Sequence, residues 1–369
     1  MTMKQKTRNK ENALKKAFGE NLPKWFASVR REMPWRINRT PYRVWVAEIM
    51  LQQTRADQAA PYYQRFMKQF PSIRALARAP LRDVLKAWEG MGYYARARNL
   101  HKTAQHLMEA RAGRFPETYD ELKSLPGIGP YTAAAIGSLS MNLDVAVVDG
   151  NVIRVLSRVF AVEEPVDTGP GKKIIQNYAD SLLPAGRAAV FNEAMMELGA
   201  LCCIPRDPHC EKCPLSPVCR ACDLGRSTEY PRKRRKKAVP HKIVGAGVIA
   251  DRKGRILLAQ RRTEDMLGGL WEFPGGKMEP GETMPECITR ELREELNIHV
   301  KMGELVTVVH HAYSHFTMEL HAHRGRIAKG KPKAIECADF AWIPLNQLRD
   351  YPMGRADQHI VTALLKKEN

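Results

Sequence analysis

The stretch that decides the fold runs from Leu143 to Leu156 and reads L-D-V-A-V-V-D-G-N-V-I-R-V-L. An apolar run ends in a carboxylate, Asp149, next to Gly150, and Asn151 then opens a second apolar segment with helical spacing. Just upstream, L-P-G-I-G-P-Y-T-A at 125–133 forms a Gly/Pro hairpin between two apolar helical patterns. Its glycines permit a tight turn, and free N–H groups at the next helix start can hold a phosphate. Taken alone, P-G-I-G also suits an ordinary helix-to-helix turn, but with the carboxylate it suits chemistry on a nucleic-acid strand.

This pair of motifs resembles the helix-hairpin-helix and trailing Asp of the endonuclease III superfamily of DNA glycosylases. Within that superfamily, the sequence is similar to the adenine DNA glycosylases of the MutY type. The resemblance spans nearly the whole chain, from Phe26 to His359. It implies a multidomain fold, in which an all-α helix-hairpin-helix glycosylase domain with a [4Fe–4S] loop precedes an α/β Nudix-like domain.

Length and charge agree with a DNA-binding enzyme of more than one domain. The chain has 369 residues and a formal charge of +19, and such a charge predicts a polyanionic partner. No run of about 18 uncharged apolar residues is present, so we expect no membrane span. The resemblance implies a DNA repair protein that acts on double-stranded DNA containing 8-oxoguanine:adenine mispairs. We expect a monomer in the cytoplasm, associated with the nucleoid in a bacterial-like cell.

The periodicity of apolar residues changes near residue 225. Helical patterns dominate before it, including one helix expected from Tyr42 to Ala60, and β-like runs follow it. In the second part, the expected strands are 243–250, 256–260, 300–309 and 317–323, and the expected helices are 284–296 and about 354–366. Between the two parts, R-K-R-R-K-K at 232–237 indicates an interdomain linker in contact with phosphates, although a localisation tag or solvated tail would look alike.

These boundaries give three segments. We expect a catalytic glycosylase domain over 1–225, a basic linker over 226–240 and a Nudix-like lesion-recognition domain over 241–369. The resemblance divides the first segment into a six-helix module at about 29–135 and an iron–sulfur module. The latter comprises about 13–28 and 136–225.

Four cysteines indicate a metal centre. Cys203, Cys210, Cys213 and Cys219 follow C-x6-C-x2-C-x5-C, and four thiolates so close together can enclose a [4Fe–4S] cluster or a zinc ion. The clustering favours metal in a reducing compartment over a disulfide scaffold. The resemblance favours the iron–sulfur cluster, with a structural role in a loop whose Arg206 faces phosphates. The remaining cysteines are expected to be ordinary thiols.

Cleavage of a glycosidic bond needs an acid for the leaving group and a carboxylate beside the developing sugar cation. Glu48 lies in apolar surroundings that would raise its pKa by desolvation. An exposed helix glutamate is the alternative, but A-E-I-M-L-Q-Q-T matches the MutY motif whose Glu protonates adenine. Asp149 takes the second role, and it is also placed to cap the helix that begins near Asn151.

Tyr131 separates two reaction classes. In glycosylase/lyases that resemble endonuclease III, a lysine stands at this offset and forms a Schiff base that leads to strand cleavage. Tyrosine cannot do this, so we expect a monofunctional glycosylase without strong AP-lyase activity. The family match also implies that Tyr131 and Asn151 position water, Glu48 or Asp149.

The target base must leave the helical stack to reach such a site. The family match makes Gln53 the residue that wedges into the duplex, and Trp35 and Arg36 the lining of the adenine pocket. Tyr93 resembles the aromatic residue that intercalates beside the lesion, and core packing is its alternative. Glu193 matches a carboxylate near the active site, with a helix-surface position as its alternative. Gly127 and Gly129 of the hairpin are expected to contact DNA.

From Gly276 the chain fits the Nudix box, G-x5-E-x7-R-E-U-x-E-E-x-G-U, except that Asn297 replaces the last glycine. Asn tolerates a positive φ better than most residues, so the turn is expected to survive. Glu291, Glu294 and Glu295 share one helix face, where they could hold Mg²⁺ if the box is active. MutY proteins usually carry a degraded box.

A recognition role for the second domain rests on the loop H-A-Y-S-H at 311–315, which resembles the F-S-H loop of MutY. The resemblance implies that Ser314 bonds the oxidised purine and His315 helps to discriminate it, with Tyr313 in place of Phe. A β-turn with a buried histidine is the alternative.

The sequence therefore predicts hydrolysis of the N-glycosidic bond of adenine opposite 8-oxoguanine, and more weakly opposite guanine. Three rivals stay open. One is a monofunctional thymine or uracil mismatch glycosylase, which would not need residues 241–369. Another is a Nudix pyrophosphohydrolase for oxidised nucleotides, and the third is a non-catalytic sensor of DNA damage.

Overall fold

The computed structural model describes residues 12–234, 239–313 and 315–366, so the expected contact residue Ser314 and part of the basic run lie outside it. The chain forms two compact units. The helical unit comprises Met1–Ala77 and Lys102–Lys236, and the mixed unit comprises Arg78–His101 and Lys237–Asn369. A helical region followed by a mixed α/β region confirms the expected fold class. No helix within the described ranges is both long and apolar enough to cross a membrane.

The helical unit contains a π-helical turn at Ala17–Asn21, which follows the helical residues 12–16. Its helices are Leu22–Val29, Pro41–Leu51, Ala56–Gln69, Tyr119–Ser124, Pro130–Met141, Gly150–Val159, Gly169–Leu182, Ala188–Leu201 and Arg220–Asp223. The helix Leu81–Ala87 lies within the segment 78–101, and the helices Ile73–Arg78 and Ala95–Arg111 overlap its two ends.

Local sequence explains several helix starts. The side chains of Thr40, Thr118 and Thr168 each accept a hydrogen bond from a backbone N–H in the first turn of the helix that follows. A threonine at this position satisfies one of the N–H groups that a helix start leaves free, and proline at the first helical position supplies the required φ. Pro41 follows this pattern, and Pro170 stands at the second position of the helix Gly169–Leu182.

The expected continuous helix from Tyr42 to Ala60 is wrong. The helix ends at Leu51, and a second helix starts at Ala56. Gln53 between them has a φ of 59°, a left-handed conformation that cannot continue an α-helix. Residues 52–55 read Q-Q-T-R and are all polar, so this interruption of the apolar pattern was the available signal for the break.

Apolar side chains from several helices form the core of the helical unit around the helix Gly150–Val159. Val152, Val155 and Leu156 pack with Phe191 and Leu198 of the helix Ala188–Leu201. Residues 226–234, expected to belong to a linker, pack on this unit. Tyr230 is buried, Arg232 pairs with Glu163 at 3.3 Å, and Arg234 pairs with Asp167 at 3.3 Å.

The mixed unit contains two three-stranded sheets. Strands β1 (His241–Ile249), β5 (Thr317–Lys329) and β4 (His299–Ala312) form one sheet in the order β1-β5-β4. Strand β1 is parallel to β5, and β4 is antiparallel to β5. Strands β3 (Trp271–Glu272), β2 (Ile256–Gln260) and β6 (Asp339–Ile343) form the other in the order β3-β2-β6. The sequence reading missed β3 and β6, which contain only two and five residues.

Among its described C-terminal residues, this unit also contains the α-helices Met284–Leu296 and Arg355–Lys366, and both match their expected spans closely. Thr283 and Glu286 form a capping box at the start of the first helix. Asn297 ends it with φ 54° and ψ 39°, which confirms that this residue supports the left-handed turn in place of glycine.

The segment 78–101 packs with C-terminal residues of the same unit, although the sequence division assigned it to the catalytic domain. The Tyr94 hydroxyl donates to the carbonyl of Met353 at 3.1 Å, and Arg98 donates to the carbonyl of Gly268 at 2.8 Å. Glu89 accepts from the backbone N–H of Met353 at 3.3 Å. These contacts join residues far apart in the chain, so periodicity could not reveal them.

Candidate active site

Glu48 lies in the middle of the helix Pro41–Leu51, whose residues from Tyr42 to Met50 are almost all buried. Only 4% of Glu48 is exposed, which excludes the alternative of an exposed helix glutamate. Its carboxylate accepts a hydrogen bond from the hydroxyl of Tyr131, which lies in the first turn of the helix after the hairpin. A largely buried carboxylate and a phenol thus meet through one hydrogen bond.

Burial raises the pKa of Glu48 to about 7, because the charged form loses its hydration. The hydrogen bond from Tyr131 opposes this by stabilising the carboxylate, and the negative charges of Asp149 and Glu193 add to the rise. A carboxyl group with such a pKa is a usable proton donor near neutral pH.

Asp149 caps the helix Gly150–Val159. Its carboxylate accepts from the backbone N–H of Val152 at 2.7 Å and from the side-chain amide of Asn151 at 2.8 Å. Burial raises the pKa of Asp149, while these two hydrogen bonds lower it. The capping role therefore exists, and the same bonds hold the carboxylate in one orientation.

These groups face one cavity of about 670 Å³ in the helical unit. Its lining brings together eight of the candidate residues: Trp35, Arg36, Glu48, Gln53, Tyr131, Asp149, Asn151 and Glu193. They come from five segments of the chain, so the cavity exists only in the folded unit. Its volume is in the range of pockets that hold small ligands.

The expected base-pocket residues lie along one side of this cavity. The Trp35 ring contacts the Tyr63 ring edge-on, with centroids 5.6 Å apart. Arg36 donates to Glu193 at 3.0 Å, and Glu193 is buried, which excludes its helix-surface alternative. Gln53 lines the cavity, and its backbone has the left-handed conformation. Such a conformation is strained for a residue other than glycine, and it persists at sites where it serves a function.

Three charged residues in this region were missed by the sequence reading. Glu197 binds both Arg31 and Arg36, and Arg39 binds Glu193 at 2.9 Å. Glu197 lies one helical turn beyond Glu193, and this i, i+4 spacing was the available signal. The arginine partners of Glu193 and Glu197 stand in a loop more than 150 residues away, so the sequence contained no signal for the pairing itself.

The hairpin has the expected form. It joins the helices Tyr119–Ser124 and Pro130–Met141, and Gly127 has a φ of 72° that favours glycine. Gly129 occupies the position before the second helix with no side-chain cap, so side chains leave the N–H groups of that helix start to other acceptors. Arg206, the other expected DNA contact in the helical unit, is exposed.

The four expected cysteine ligands line one small cavity of about 20 Å³, together with Cys202 and Cys222. Arg158, which is 1% exposed, donates to the Cys203 sulfur at 3.2 Å and places a positive charge beside the thiols. No three His, Cys, Asp or Glu side chains within the described part of the chain are arranged to hold one metal ion.

Arg154 links the helix Gly150–Val159 to the segment 203–219 that carries the four expected cysteine ligands, which we call the cysteine loop. Its guanidinium donates to the carbonyl of Cys203 at 2.7 Å and to the side-chain oxygen of Asn151 at 2.9 Å. It also donates to the carbonyl of Gly199. One side chain thus connects the neighbour of Asp149, the helix Ala188–Leu201 and the first expected cysteine ligand.

Comparison with known proteins decides the family. Residues 46–184 match the HhH-GPD superfamily of base excision DNA repair proteins, and residues 245–363 match the NUDIX domain. The adenine DNA glycosylase of Buchnera aphidicola subsp. Acyrthosiphon pisum is 34% identical over 82% of this chain and 85% of its own length. The chain belongs to the adenine DNA glycosylase family. The enzyme of that name from Rattus norvegicus is 30% identical over 92% of this chain and 76% of its own length.

Among solved structures, a thermostable thymine-DNA glycosylase is 30% identical, with a TM-score of 0.54. It covers 58% of this chain and 99% of its own length. An endonuclease III–DNA complex is 22% identical over 61% of this chain and 99% of that chain, with a TM-score of 0.50, and shows the fold alone.

Within the mixed unit, Tyr93 is 45% exposed, which excludes its alternative as a core residue, whereas the adjacent Tyr94 is buried. Tyr93 has a φ of 50° and follows two glycines, Gly90 and Gly92, that also have positive φ, and the Arg96 guanidinium lies 5.4 Å from its ring centroid. The turn thus presents an aromatic ring outward.

The loop after β4 brings three rings together. The Tyr313 ring lies 4.6 Å from His311 and 6.5 Å from His315 between centroids. His315 is exposed, so the alternative of a buried histidine is wrong. An adjacent aromatic residue, Phe316, contacts the rings of Tyr313 and His315.

The expected Mg²⁺ carboxylates do not share a common environment. Arg290 donates to Glu291 at 2.9 Å and to Glu294 at 3.1 Å. Glu295 accepts from the backbone N–H of Gly275 at 3.2 Å, and burial raises its pKa to about 8. A Cβ at Gly276 would approach the Glu291 carboxyl to 2.2 Å, so only glycine allows this contact.

Proposed function

We propose that this protein hydrolyses the N-glycosidic bond of adenine opposite 8-oxoguanine in DNA, and more slowly opposite guanine. One observation carries the proposal: Glu48 is buried, bonded to Tyr131, and faces the same cavity as Asp149. Two carboxyl groups in unequal environments are what acid-assisted loss of a base requires. Family membership supports adenine as the base.

In this mechanism Glu48 is the general acid. Its carboxyl donates a proton to a ring nitrogen of the extruded adenine, which turns the base into a neutral leaving group. The pKa of about 7 keeps a large share of Glu48 protonated near neutral pH. The Tyr131 hydroxyl holds the carboxyl in place.

Asp149 stabilises the sugar cation that develops as the bond breaks. The hydrogen bonds from Val152 and Asn151 orient the carboxylate toward the cavity. Water then adds to the sugar and gives up one proton to the carboxylate of Glu48, which has just protonated the base, and an abasic site remains. Since Tyr131 has no amine, no Schiff base forms with the sugar, and the strand stays intact.

DNA-binding contacts come from separate parts of the chain. Gln53 and Tyr93, both held at positive φ, enter the base stack, while Gly127, Gly129 and Arg206 face phosphates. In the mixed unit, Tyr313, Ser314 and His315 read the oxidised purine. Arg232 and Arg234 are neutralised by acidic partners, so they contribute less to phosphate binding than their charge suggests.

Cys203, Cys210, Cys213 and Cys219 hold a [4Fe–4S] cluster in this proposal. Each iron of such a cluster takes one thiolate, so the four sulfurs need not converge on one ion. Zinc would require four ligands around a single ion, a geometry that the described residues do not form. Four thiols around one cavity beside the buried Arg158 fit the cluster, whose role is to hold the loop in shape.

A thymine-specific reaction is the closest rival, because a solved thymine-DNA glycosylase is 30% identical and covers more than half of this chain. That protein covers 58% of this chain, whereas the two adenine-specific relatives cover 82% and 92%. The additional coverage, which extends the likeness into the C-terminal region, favours adenine.

A nucleotide pyrophosphohydrolase in the mixed unit is the second candidate. The contacts of Gly275 with Glu295 and of Gly276 with Glu291 join the loop and helix of the Nudix box, and this observation favours it. Pyrophosphate release from 8-oxo-dGTP with Mg²⁺, present in the parent and lost in Glu294→Gln, would support this activity. Equal release by both proteins, or none from the parent, would contradict it.

The main proposal is tested on a labelled duplex with a single A:8-oxoguanine pair. We expect adenine release by the parent, strand breaks only after alkali, and loss of release in Glu48→Gln and Asp149→Asn. A T:G duplex serves as the specificity control. Full activity of the Asp149→Asn protein, or preference for T:G, would overturn the proposal.

A further inference from the structure

Five charged side chains alternate in sign along one side of the helical unit: Arg31, Glu197, Arg36, Glu193 and Arg39. We call them the charge row. All except Arg39 line the cavity that contains Glu48 and Asp149. The two carboxylates come from one buried face of the helix Ala188–Leu201. The helix therefore holds them in place, so that each can bind the arginines beside it.

Glu197 is the most constrained member of the charge row. It is 2% exposed and accepts four hydrogen bonds. Three come from Arg31, namely the backbone N–H at 3.1 Å, Nε at 2.8 Å and a terminal nitrogen at 3.0 Å. The fourth comes from Arg36 at 3.0 Å. A carboxylate offers about four lone-pair sites, so Glu197 has no acceptor left for a substrate.

The influence of Glu197 therefore reaches the cavity through the two guanidinium groups. Arg36 uses Nε for Glu193, one terminal nitrogen for Glu197 and the other for the carbonyl of Arg31. The remaining N–H groups of a planar guanidinium have fixed directions once the others are bound. Ring nitrogens of adenine are acceptors that such donors can meet.

We propose that Glu197 is a positioning residue, which fixes the guanidinium groups of Arg31 and Arg36 as hydrogen-bond donors to the extruded adenine. The inference rests on the adenine glycosylase activity proposed above, and it adds a residue that neither the sequence motifs nor the base-pocket candidates include. Substituting Glu197 leaves Glu48 and Asp149 in the protein, so it separates base positioning from acid catalysis.

The test compares the parent with Glu197→Gln under single-turnover conditions on the A:8-oxoguanine duplex. We expect adenine release to slow by roughly 10- to 100-fold, the usual consequence of losing a charge-assisted hydrogen bond in the transition state. Duplex affinity should stay within about twofold, because no phosphate contact changes. If Glu197→Gln folds poorly, Arg31→Lys replaces it in the test. This variant breaks the bidentate pair between Arg31 and Glu197 from the arginine side, and it should likewise slow adenine release without changing duplex affinity.

A second readout distinguishes positioning from a purely structural role. Glu48 is faced by Tyr131 and Asp149, and by Glu193 and Arg36 of the charge row. Without the Glu197 charge, the positive charge of Arg36 is less neutralised and favours the ionised form of Glu48. We therefore expect the alkaline midpoint of the rate to move to lower pH in Glu197→Gln.

The matched control is Glu121→Gln, which breaks an exposed Arg–Glu pair of the same unit. It should keep the parent rate and midpoint. A Glu197→Gln protein with parent rate and midpoint, or a loss explained fully by a smaller folded fraction, would overturn the inference. An inactive parent would instead overturn the proposed function, so the two failures are distinguishable.

Discussion

Replacement of Arg154 by methionine should uncouple the cysteine loop from Asp149, the carboxylate proposed to stabilise the sugar cation. Methionine keeps the apolar part of the side chain and removes the donors to Cys203, Gly199 and Asn151. Loss of the bond to Asn151 frees the amide that donates to Asp149 at 2.8 Å. We therefore expect both a slower reaction and a less stable helical unit.

The magnitude follows from the number of bonds. A lost hydrogen bond to a charged group costs about 1.5–3 kcal/mol when the partner stays buried, and water can replace part of this because Arg154 is only partly buried. The unit should lose about 3 kcal/mol of unfolding free energy over the three bonds. Only the bond to Asn151 bears on the reacting sugar, so the rate should fall by about 5- to 30-fold, which corresponds to about 1–2 kcal/mol.

The assay is single-turnover adenine release at a temperature where both proteins are folded, with melting followed separately. Arg74→Met removes an exposed arginine from the same unit and should change neither quantity. An Arg154→Met protein that melts earlier but releases adenine at the parent rate would refute the link to Asp149. Unchanged melting and rate together would refute the whole argument.

Three further predictions concern single properties. Burial raises the pKa of Glu48 to about 7, so its acid form is present below pH 7 and is lost as the pH rises through this value. Single-turnover rates should therefore fall with a midpoint near pH 7. The midpoint should lie at higher pH in Tyr131→Phe, because that variant lacks the hydrogen bond that stabilises the carboxylate. Asn297→Ala should destabilise the mixed unit by about 1 kcal/mol because of its φ of 54°, whereas Asn297→Gly should melt like the parent. Cys213→Ser should lower bound iron and visible absorption, while Cys337→Ser should leave both unchanged. A rate that stays constant above pH 7 would contradict the first prediction, and equal melting of the two Asn297 variants would contradict the second. Full iron content in Cys213→Ser would contradict the third.

Much of the architecture was predictable because its causes are local. The helix Met284–Leu296 and the strand Ile256–Gln260 have the expected bounds. The left-handed turn at Asn297 follows from the tolerance of Asn for positive φ. The left-handed conformation of Gln53 after Leu51 was not predictable, since glutamine does not favour a positive φ.

The candidate site was predictable as a set of residues and not as a chemical environment. Motif spacing named Glu48, Tyr131 and Asp149, and the cavity contains all three. Glu197 was missed because its partners, Arg31 and Arg36, lie more than 150 residues away in the chain. Pairings at such separation depend on how helices pack, which periodicity does not encode.

The sequence by itself determined the order of the two regions, the hairpin, the cap at Asp149 and the cysteine spacing, because each depends on residues within one or two turns. Only the tertiary structure decided that Glu48 is 4% exposed, that its pKa rises to about 7, and that Arg154 joins Asn151 to Cys203. It also decided that residues 78–101 pack with the C-terminal unit. Desolvation and long-range hydrogen bonds arise when distant segments meet, so the proton-donating environment of Glu48 comes from the fold.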